Sequence, residues 1–236
     1  MVVFCWSYRY NVPMALVEIE AIRQAKIAEL ALRMPVTGNS AAYLLPYYEM
    51  RFVQDATGER ILDVCAGGSD LTAALLSMGA DAYALDFGYY DKHTHKKILS
   101  EGNRPPNLIF LTSLDEHPQR YIGASATDLP FPDGSFDRVM SFYGIFGVMD
   151  EETDLLNESM IEALRVLKKG GKLQVGPLLE GHISDVGKEN QRALIEALKE
   201  RGDLIVYAGY TLYPVEPSLD YRQLRKLVIK KKTVMI

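Results

Sequence analysis

The sequence predicts an α/β fold: a three-layer sandwich with a seven-stranded, mostly parallel sheet, its last strand antiparallel, and helices on both faces. Three observations predict it. Arg60 to Asp86 reads as strand, glycine-containing turn, helix, strand. Strands and amphipathic helices then alternate from Tyr121 to Tyr207. The final two strands, Leu204 to Tyr207 and Leu224 to Lys232, are joined by a loop with two prolines and no helix, which suits an antiparallel pair.

Taken in order, Val17 to Met34 has helical periodicity, with Ile19, Ile22, Ile27, Leu30 and Met34 on one side, and Pro35 ends it. Gly38-Asn39-Ser40 could cap a second helix carrying Tyr43, Leu44, Tyr47, Tyr48 and Phe52, although Pro46 interrupts it. Residues 1–58 thus form a helical leader that packs on the sheet or closes over a ligand. Residues 59–236 form a single domain with an insertion at 87–120.

The domain opens with a strand at Ile61 to Val64, a turn at Cys65-Ala66-Gly67-Gly68-Ser69 and a helix from Asp70 to Met78. Leu71, Ala74, Leu75 and Met78 give that helix one apolar face, and Gly79 stops it. A second strand, Ala82 to Asp86, ends in an acid. In the insertion a helix over Asp91 to Leu99 fits the pattern, whereas the apolar run Leu108 to Leu111 suits a strand or a helical turn equally. Tyr121 to Ser125 is the third strand, Asp128 to Gly134 a turn with two prolines and Asp-Gly, and Phe136 to Ser141 the fourth strand. Glu151 to Lys168 is a helix whose C-terminus is complemented by Lys168-Lys169 and stopped by Gly170-Gly171. Lys172 to Val175, the helix Glu189 to Arg201 and Leu204 to Tyr207 follow. Lys230-Lys231-Lys232 in the last strand reads as protection of an exposed sheet edge.

Composition narrows the classes. Of 236 residues, 48% are hydrophobic and 24% charged, which fits a globular core. A net charge of -5 gives no bulk attraction to nucleic acid or anionic lipid. The two cysteines, Cys5 and Cys65, are too few for a disulfide framework. The first residues do not read as a signal peptide, and no stretch approaches the ~20 apolar residues that span a bilayer. The expected setting is cytoplasmic, with neither nucleic acid nor membrane as a partner.

Two ligand types exploit a glycine turn followed by a distal acid: dinucleotides and S-adenosylmethionine. Asp86, 23 residues after Asp63, suits the ribose of either. The turn separates them. A dinucleotide site needs G-x-G-x-x-G and a bare helix N-terminus for its pyrophosphate. Here Thr72 stands in place of a packing glycine, and Asp70 in the first helical turn would repel phosphate. S-adenosylmethionine carries a sulfonium and an ammonium instead, and a rim of Asp63, Asp70 and Asp86 tolerates those charges.

From Arg60 onward the chain resembles a class I S-adenosylmethionine-dependent methyltransferase. The segments ILDVCAGGSDLT, ATDLPFPDGSFDRVMS and EALRVLKKGGKLQV carry the resemblance. It implies that Ala66, Gly67 and Gly68 pass close to the methionine part of the cofactor, with Asp63 nearby. It further implies that Asp86 takes the ribose hydroxyls, that Phe87 lies against the adenine, that Ser125 and Ala126 border the adenine edge, and that Ser141, Phe142 and Tyr143 face the methyl donor and acceptor. Two positions depart from the family. Cys65 stands where glycine is usual, and its side chain fits only if the backbone avoids positive φ. Ser125 stands where an aspartate often accepts from the adenine amino group; a serine accepts one hydrogen bond without charge.

Methyl transfer depends mainly on positioning, and a base is needed only if the acceptor must lose a proton. The catalytic candidates are Tyr143, after the fourth strand, and His182, after the fifth; His93, His95 and Asp150 also lie near the expected mouth. His93-x-His95 lacks further ligands, so no metal site is expected. The function read from this is methyl transfer to a small-molecule acceptor. The alternatives are a methyltransferase-like binding protein whose site has decayed, and an NAD(P)-dependent oxidoreductase.

Overall fold

A computed structural model describes residues 41, 44–45, 48–50, 55–91, 108–148, 152–178, 184–215 and 220–233, all within one compact unit, Val36–Ile236. The leader helix over 17–34 and the helix over 91–99 fall almost wholly outside the described residues.

Seven strands form one sheet in the order β3-β2-β1-β4-β5-β7-β6. They are β1 Arg60–Val64, β2 Asp81–Asp86, β3 Tyr121–Gly123, β4 Phe136–Phe142, β5 Leu167–Leu178, β6 Leu204–Val215 and β7 Asp220–Lys231. Strands β1 to β5 pair in parallel, and β7 runs antiparallel to both β5 and β6. The helices are α1 Leu71–Ser77, α2 Leu108–Glu116, α3 Ile145–Val148, α4 Thr153–Val166 and α5 Asp185–Glu200. The fold class is the expected one. After β3 the chain returns to the other side of β1, so the strand order reverses between β1 and β4. That reversal opens the crevice where doubly wound sheets bind ligands.

The core explains the helix positions. Ile61, Ala82 and Met140 meet Leu71 and Leu75 of α1, and Leu44, Tyr48 and Met50 complete the same cluster. Burying large side chains such as these contributes roughly 1.5–3 kcal/mol each. For Leu44 and Tyr48 the leader therefore packs on the sheet; Tyr43, Tyr47 and Phe52 lie outside the described residues. Glu49 fastens this segment further. Its carboxylate meets Lys172 Nζ at 2.8 Å and the buried Lys226 Nζ at 3.0 Å, tying residues 48–50 across β5 and β7. Burial opposes ionisation of Glu49, but the two lysines outweigh it and hold its pKa at about 2.

One open expectation is decided and others are corrected. The run Leu108 to Leu111 begins helix α2, because Phe110 and Leu114 turn inward together while Ile109 stays exposed. Helix α4 ends at Val166, before the lysines and glycines expected to stop it. Leu167 already pairs with Phe136, and the register shifts before Arg138. Lys168 Nζ holds both Asp137 oxygens, at 2.7 and 2.8 Å. A Cβ on Gly171 would stand 2.9 Å from the Asp137 carbonyl, so this glycine serves close strand approach.

The lysine run at the end of β7 does not guard an edge. Strand β7 lies inside the sheet and β6 is the edge. Lys231 Nζ donates to the carbonyls of Leu164 and Leu167, each at 3.1 Å, and so caps α4; Lys232 Nζ donates to Gly202 O at 2.8 Å.

Candidate functional site

The site is built on the turn after β1. Cys65 and Gly67 have φ of 59° and 56°, and Ser69 N–H donates to Ala66 O at 3.2 Å, folding residues 65–69 into a tight loop at the β1 end. Ser69 Oγ accepts from Leu71 N–H at 3.1 Å and starts α1. The expectation that Cys65 would need a negative φ is overturned, since a non-glycine residue occupies the left-handed region here. Room for its side chain comes from across the crevice. A Cβ on Gly144 would stand 2.4 Å from Cys65 Cβ and 2.5 Å from Ser141 Oγ. The space taken by the Cys65 side chain is the space that Gly144, in the loop after β4, leaves by having no Cβ.

Asp86 closes the loop from the β2 side. Its Oδ2 accepts from Gly67 N–H at 2.9 Å and its Oδ1 from Gly88 N–H at 2.8 Å. Each oxygen keeps a lone pair, and the residue stays partly exposed, so a diol can still be held there. Tyr89, in the 3₁₀ turn Phe87–Asp91, donates its buried phenol to Gly67 O at 2.5 Å. Sequence reading missed Tyr89 because its role depends on a turn of the chain that periodicity does not reveal.

Asp63 lies beneath the loop, buried. Burial, with the negative Asp86 beside it, raises its pKa to about 8. The same burial and the same two acids push the Cys65 thiol upward, so it stays protonated and is a poor nucleophile. Among the described residues no cation pairs with Asp63 or Asp86. The charge at this end of the crevice is therefore carried by Asp86, which meets no cation among the described residues and favours a sulfonium or ammonium over a pyrophosphate. Asp70 leaves the expected rim: its carboxylate accepts the Ala41 N–H and holds the leader.

The remaining predicted residues divide. Phe87 is partly exposed beside Asp86. Ser125 and Ala126 are buried just past β3, where Gly123 pairs with Asp86. Ser125 Oγ lies 2.8 Å from Thr127 Oγ1 and accepts from Thr127 N–H at 3.2 Å. Ser141 is fully buried, and its hydroxyl accepts from Ile145 N–H at 3.1 Å to start α3. Tyr143 stands partly exposed on the β4 lip of the crevice with φ of 57°, its N–H donated to Gly176 O at 2.7 Å. His182, His93, His95 and Asp150 lie outside the described residues. Among the described residues no group of three or more His, Cys, Asp or Glu side chains could hold a metal ion. A groove of about 620 Å³ between α1 and α2, lined by Leu76, Ile109 and Arg120 among others, lies toward the opposite end of the strands.

A family model described as the ubiE/COQ5 methyltransferase family matches residues 46–183, more than half of the chain. The chain belongs to this family. Among relatives of this ubiE/COQ5 member, a demethylmenaquinone methyltransferase of Clavibacter sepedonicus is 34% identical over 53% of this chain and 43% of its own. The ubiquinone/menaquinone biosynthesis C-methyltransferase UbiE of an Enterobacter species is 28% identical over 67% and 60%. The chain thus spans about half the length of the curated relatives it matches. A SAM-dependent methyltransferase of Methanosarcina mazei shares the fold at 15% identity, with a TM-score of 0.52 over 78% of this chain and 97% of that one. So does a Burkholderia thailandensis 1,6-didemethyltoxoflavin-N1-methyltransferase solved with 1,6-didemethyltoxoflavin and S-adenosylhomocysteine, at 14% identity and a TM-score of 0.51 over 97% and 94%.

The structure shows what the segment ATDLPFPDGSFDRVMS does in this ubiE/COQ5 family member. Leu129 to Asp133 is clamped from α4. Arg165 donates to Leu129 O at 2.9 Å, Phe131 O at 2.8 Å and Asp133 Oδ1 at 2.9 Å, while Glu162 Oε2 accepts Leu129 N–H at 2.8 Å. Two of the three segments that carry the resemblance therefore bind each other. The clamp supports the site from outside it.

Proposed function

We propose that the protein transfers a methyl group from S-adenosylmethionine to a small-molecule acceptor. The observation that carries this reading is the pair of acids, a protonated Asp63 and a partly exposed Asp86 with no cation beside it among the described residues, set under a glycine loop at the strand reversal. When bound, S-adenosylmethionine supplies an electrophilic methyl on a positively charged sulfur. The chain's residues would do the rest. Gly67 and Gly68 let the backbone approach the methionine part, and Asp86 receives the ribose hydroxyls. Asp63, the deepest acid, faces the cationic part and surrenders its proton there.

Tyr143, held on the β4 lip by its bond to Gly176 O, positions the acceptor across the crevice from the loop. Its phenol suits orientation of the acceptor, and in-line displacement gains most from orientation. His182 is the second candidate for acceptor contact. The relatives' names make a demethylated quinone the first acceptor to assay. The chain is proposed to divide into a leader, 1–58, and a methyltransferase domain, 59–236. The protein is proposed to work in the cytoplasm; among the described residues no helix is long and apolar enough to cross a membrane.

Calorimetric titration with S-adenosylhomocysteine tests the reading, followed by methyl transfer from labelled S-adenosylmethionine. Binding with turnover is the expected result. Binding without turnover for any quinone-like acceptor would leave the cofactor site standing and move the search to other acceptors. Absence of binding at millimolar ligand overturns this reading and favours the decayed, binding-only one, which the left-handed Cys65 and the uncharged Ser125 motivate.

A further inference from the structure

We infer that this site does not read the 6-amino group of its nucleoside and so accepts a 6-oxo purine as well as adenine. The inference rests on the cofactor reading above and concerns the base end of the same site.

Its first support is placement. A nucleoside sulfonium is laid out in the order tail, ribose, base. The glycine loop ends β1, Asp86 ends β2, and β3 lies next outward, with Gly123 in register with Asp86. A ligand with its tail over Gly67 and its ribose at Asp86 therefore directs its base toward the residues just past Gly123. Among the described residues the buried polar side chains there are Ser125 and Thr127, 5% and 8% exposed; Asp128, next in the chain, is exposed.

The second support is chemistry. An adenine edge presents a donor at its 6-amino group and an acceptor at N1; a 6-oxo purine reverses both. A carboxylate only accepts, so at this position it would welcome the amino group and repel the oxo group. The Ser125–Thr127 pair is not committed in this way. In its 2.8 Å hydroxyl–hydroxyl bond either oxygen can be the donor. One Ser125 lone pair is already used by Thr127 N–H. When Ser125 donates to Thr127, its other lone pair is left to accept from an amino group. When Thr127 donates to Ser125, that lone pair is filled and the Ser125 hydrogen turns outward to meet an oxo group. Reversing one internal bond thus converts the edge from acceptor to donor, and no charge or backbone has to move.

The test is competition between S-adenosylhomocysteine and S-inosylhomocysteine for the wild-type protein, read by calorimetry. Affinities within about tenfold of each other are expected, since no group in the pair is left unpaired by either base. Ser125→Asp, checked for folding by its melting curve, should restore a preference for the adenosyl ligand of about a hundredfold or more. Tight S-adenosylhomocysteine binding with S-inosylhomocysteine weaker by more than tenfold overturns this inference and leaves the methyltransferase reading standing. Failure of both ligands to bind the wild type overturns the reading, and the inference falls with it. The wild-type comparison decides the matter even if Ser125→Asp does not fold.

Discussion

Cys65 and Gly144 share one space: a Cβ on residue 144 would lie 2.4 Å from the Cβ of Cys65, with Val64 O at 3.1 Å closing the other side. The two lips of the crevice, one after β1 and one after β4, touch through this pair. Gly144→Ala is therefore an overpacking change with little room for relief. It should cost about 2 kcal/mol, and a domain of this size should lose several degrees of melting temperature. Cys65→Gly removes the closest contact and the left-handed cysteine together. Added to Gly144→Ala, it should recover part of the loss, and urea unfolding of the four-protein cycle measures the coupling.

Asp63 links the site to pH. Its folded pKa of about 8 exceeds the ordinary carboxylate value of 3.8, so the folded state holds an extra proton between those limits. Stability from this group is full below about pH 4 and is lost as pH rises through 8. Asp63→Asn should flatten that part of the stability–pH curve, as thermal melts across the range would show. A bound cation favours the ionised acid, so S-adenosylmethionine binding near pH 7 should release protons. Calorimetry in two buffers of different ionisation enthalpy counts them.

Tyr89→Phe removes the donor that holds the Gly67 carbonyl at 2.5 Å. The ring is retained, so the packing with Phe110 and Tyr121 should persist while the loop loses one fixed point. A stability loss of about 1 kcal/mol is expected, as for one hydrogen bond lost at a partly buried carbonyl. Affinity for S-adenosylhomocysteine should fall about tenfold if the loop must be re-ordered on binding, because 1.4 kcal/mol is a factor of ten. Calorimetry on the variant checks this.

Arg165→Ala unclamps Leu129 to Asp133 and should cost about 3 kcal/mol, since its contacts to that loop are charge-assisted. Arg165→Lys should not restore the loss, because a point ammonium cannot reach Leu129 O, Phe131 O and Asp133 together as the planar fork does. Glu162 adds a pH signature. Its bonds from Arg165, with Leu129 N–H, outweigh its burial and lower its pKa, so its contribution is present at neutral pH and lost as pH falls through the acid range. Arg165→Ala should remove that acid sensitivity, which acid titration of the melting temperature would reveal.

These variants also show what the chain discloses on its own. The alternation of strands and helices and the acid ending β2 were legible because burial imposes periodicity on residues near in sequence. Cys65 was legible as a departure from glycine, but not its solution, since Gly144 is 79 positions away and meets it only through the sheet. The Arg165 clamp was hidden for the same reason: Leu129 to Asp137 marked the family, and nothing local said that the run is held by a helix. Lys168 to Gly171 misled because lysine and glycine after a helix have two meanings, a helix stop or a strand bulge. The pairing of Lys168 with Asp137 chooses the second.

Strand β7 comes last of the seven in chain order yet sits second from the edge, between β5 and β6. During synthesis β1 to β5, which carry the glycine loop and both lips of the crevice, leave the ribosome well before the strand that joins β6 to them. The nascent protein can assemble its cofactor half while β6 still waits unattached. Until Asp220 to Lys231 emerges, β5 presents an open flank, an unpaired strand edge of the kind that favours association between incomplete chains.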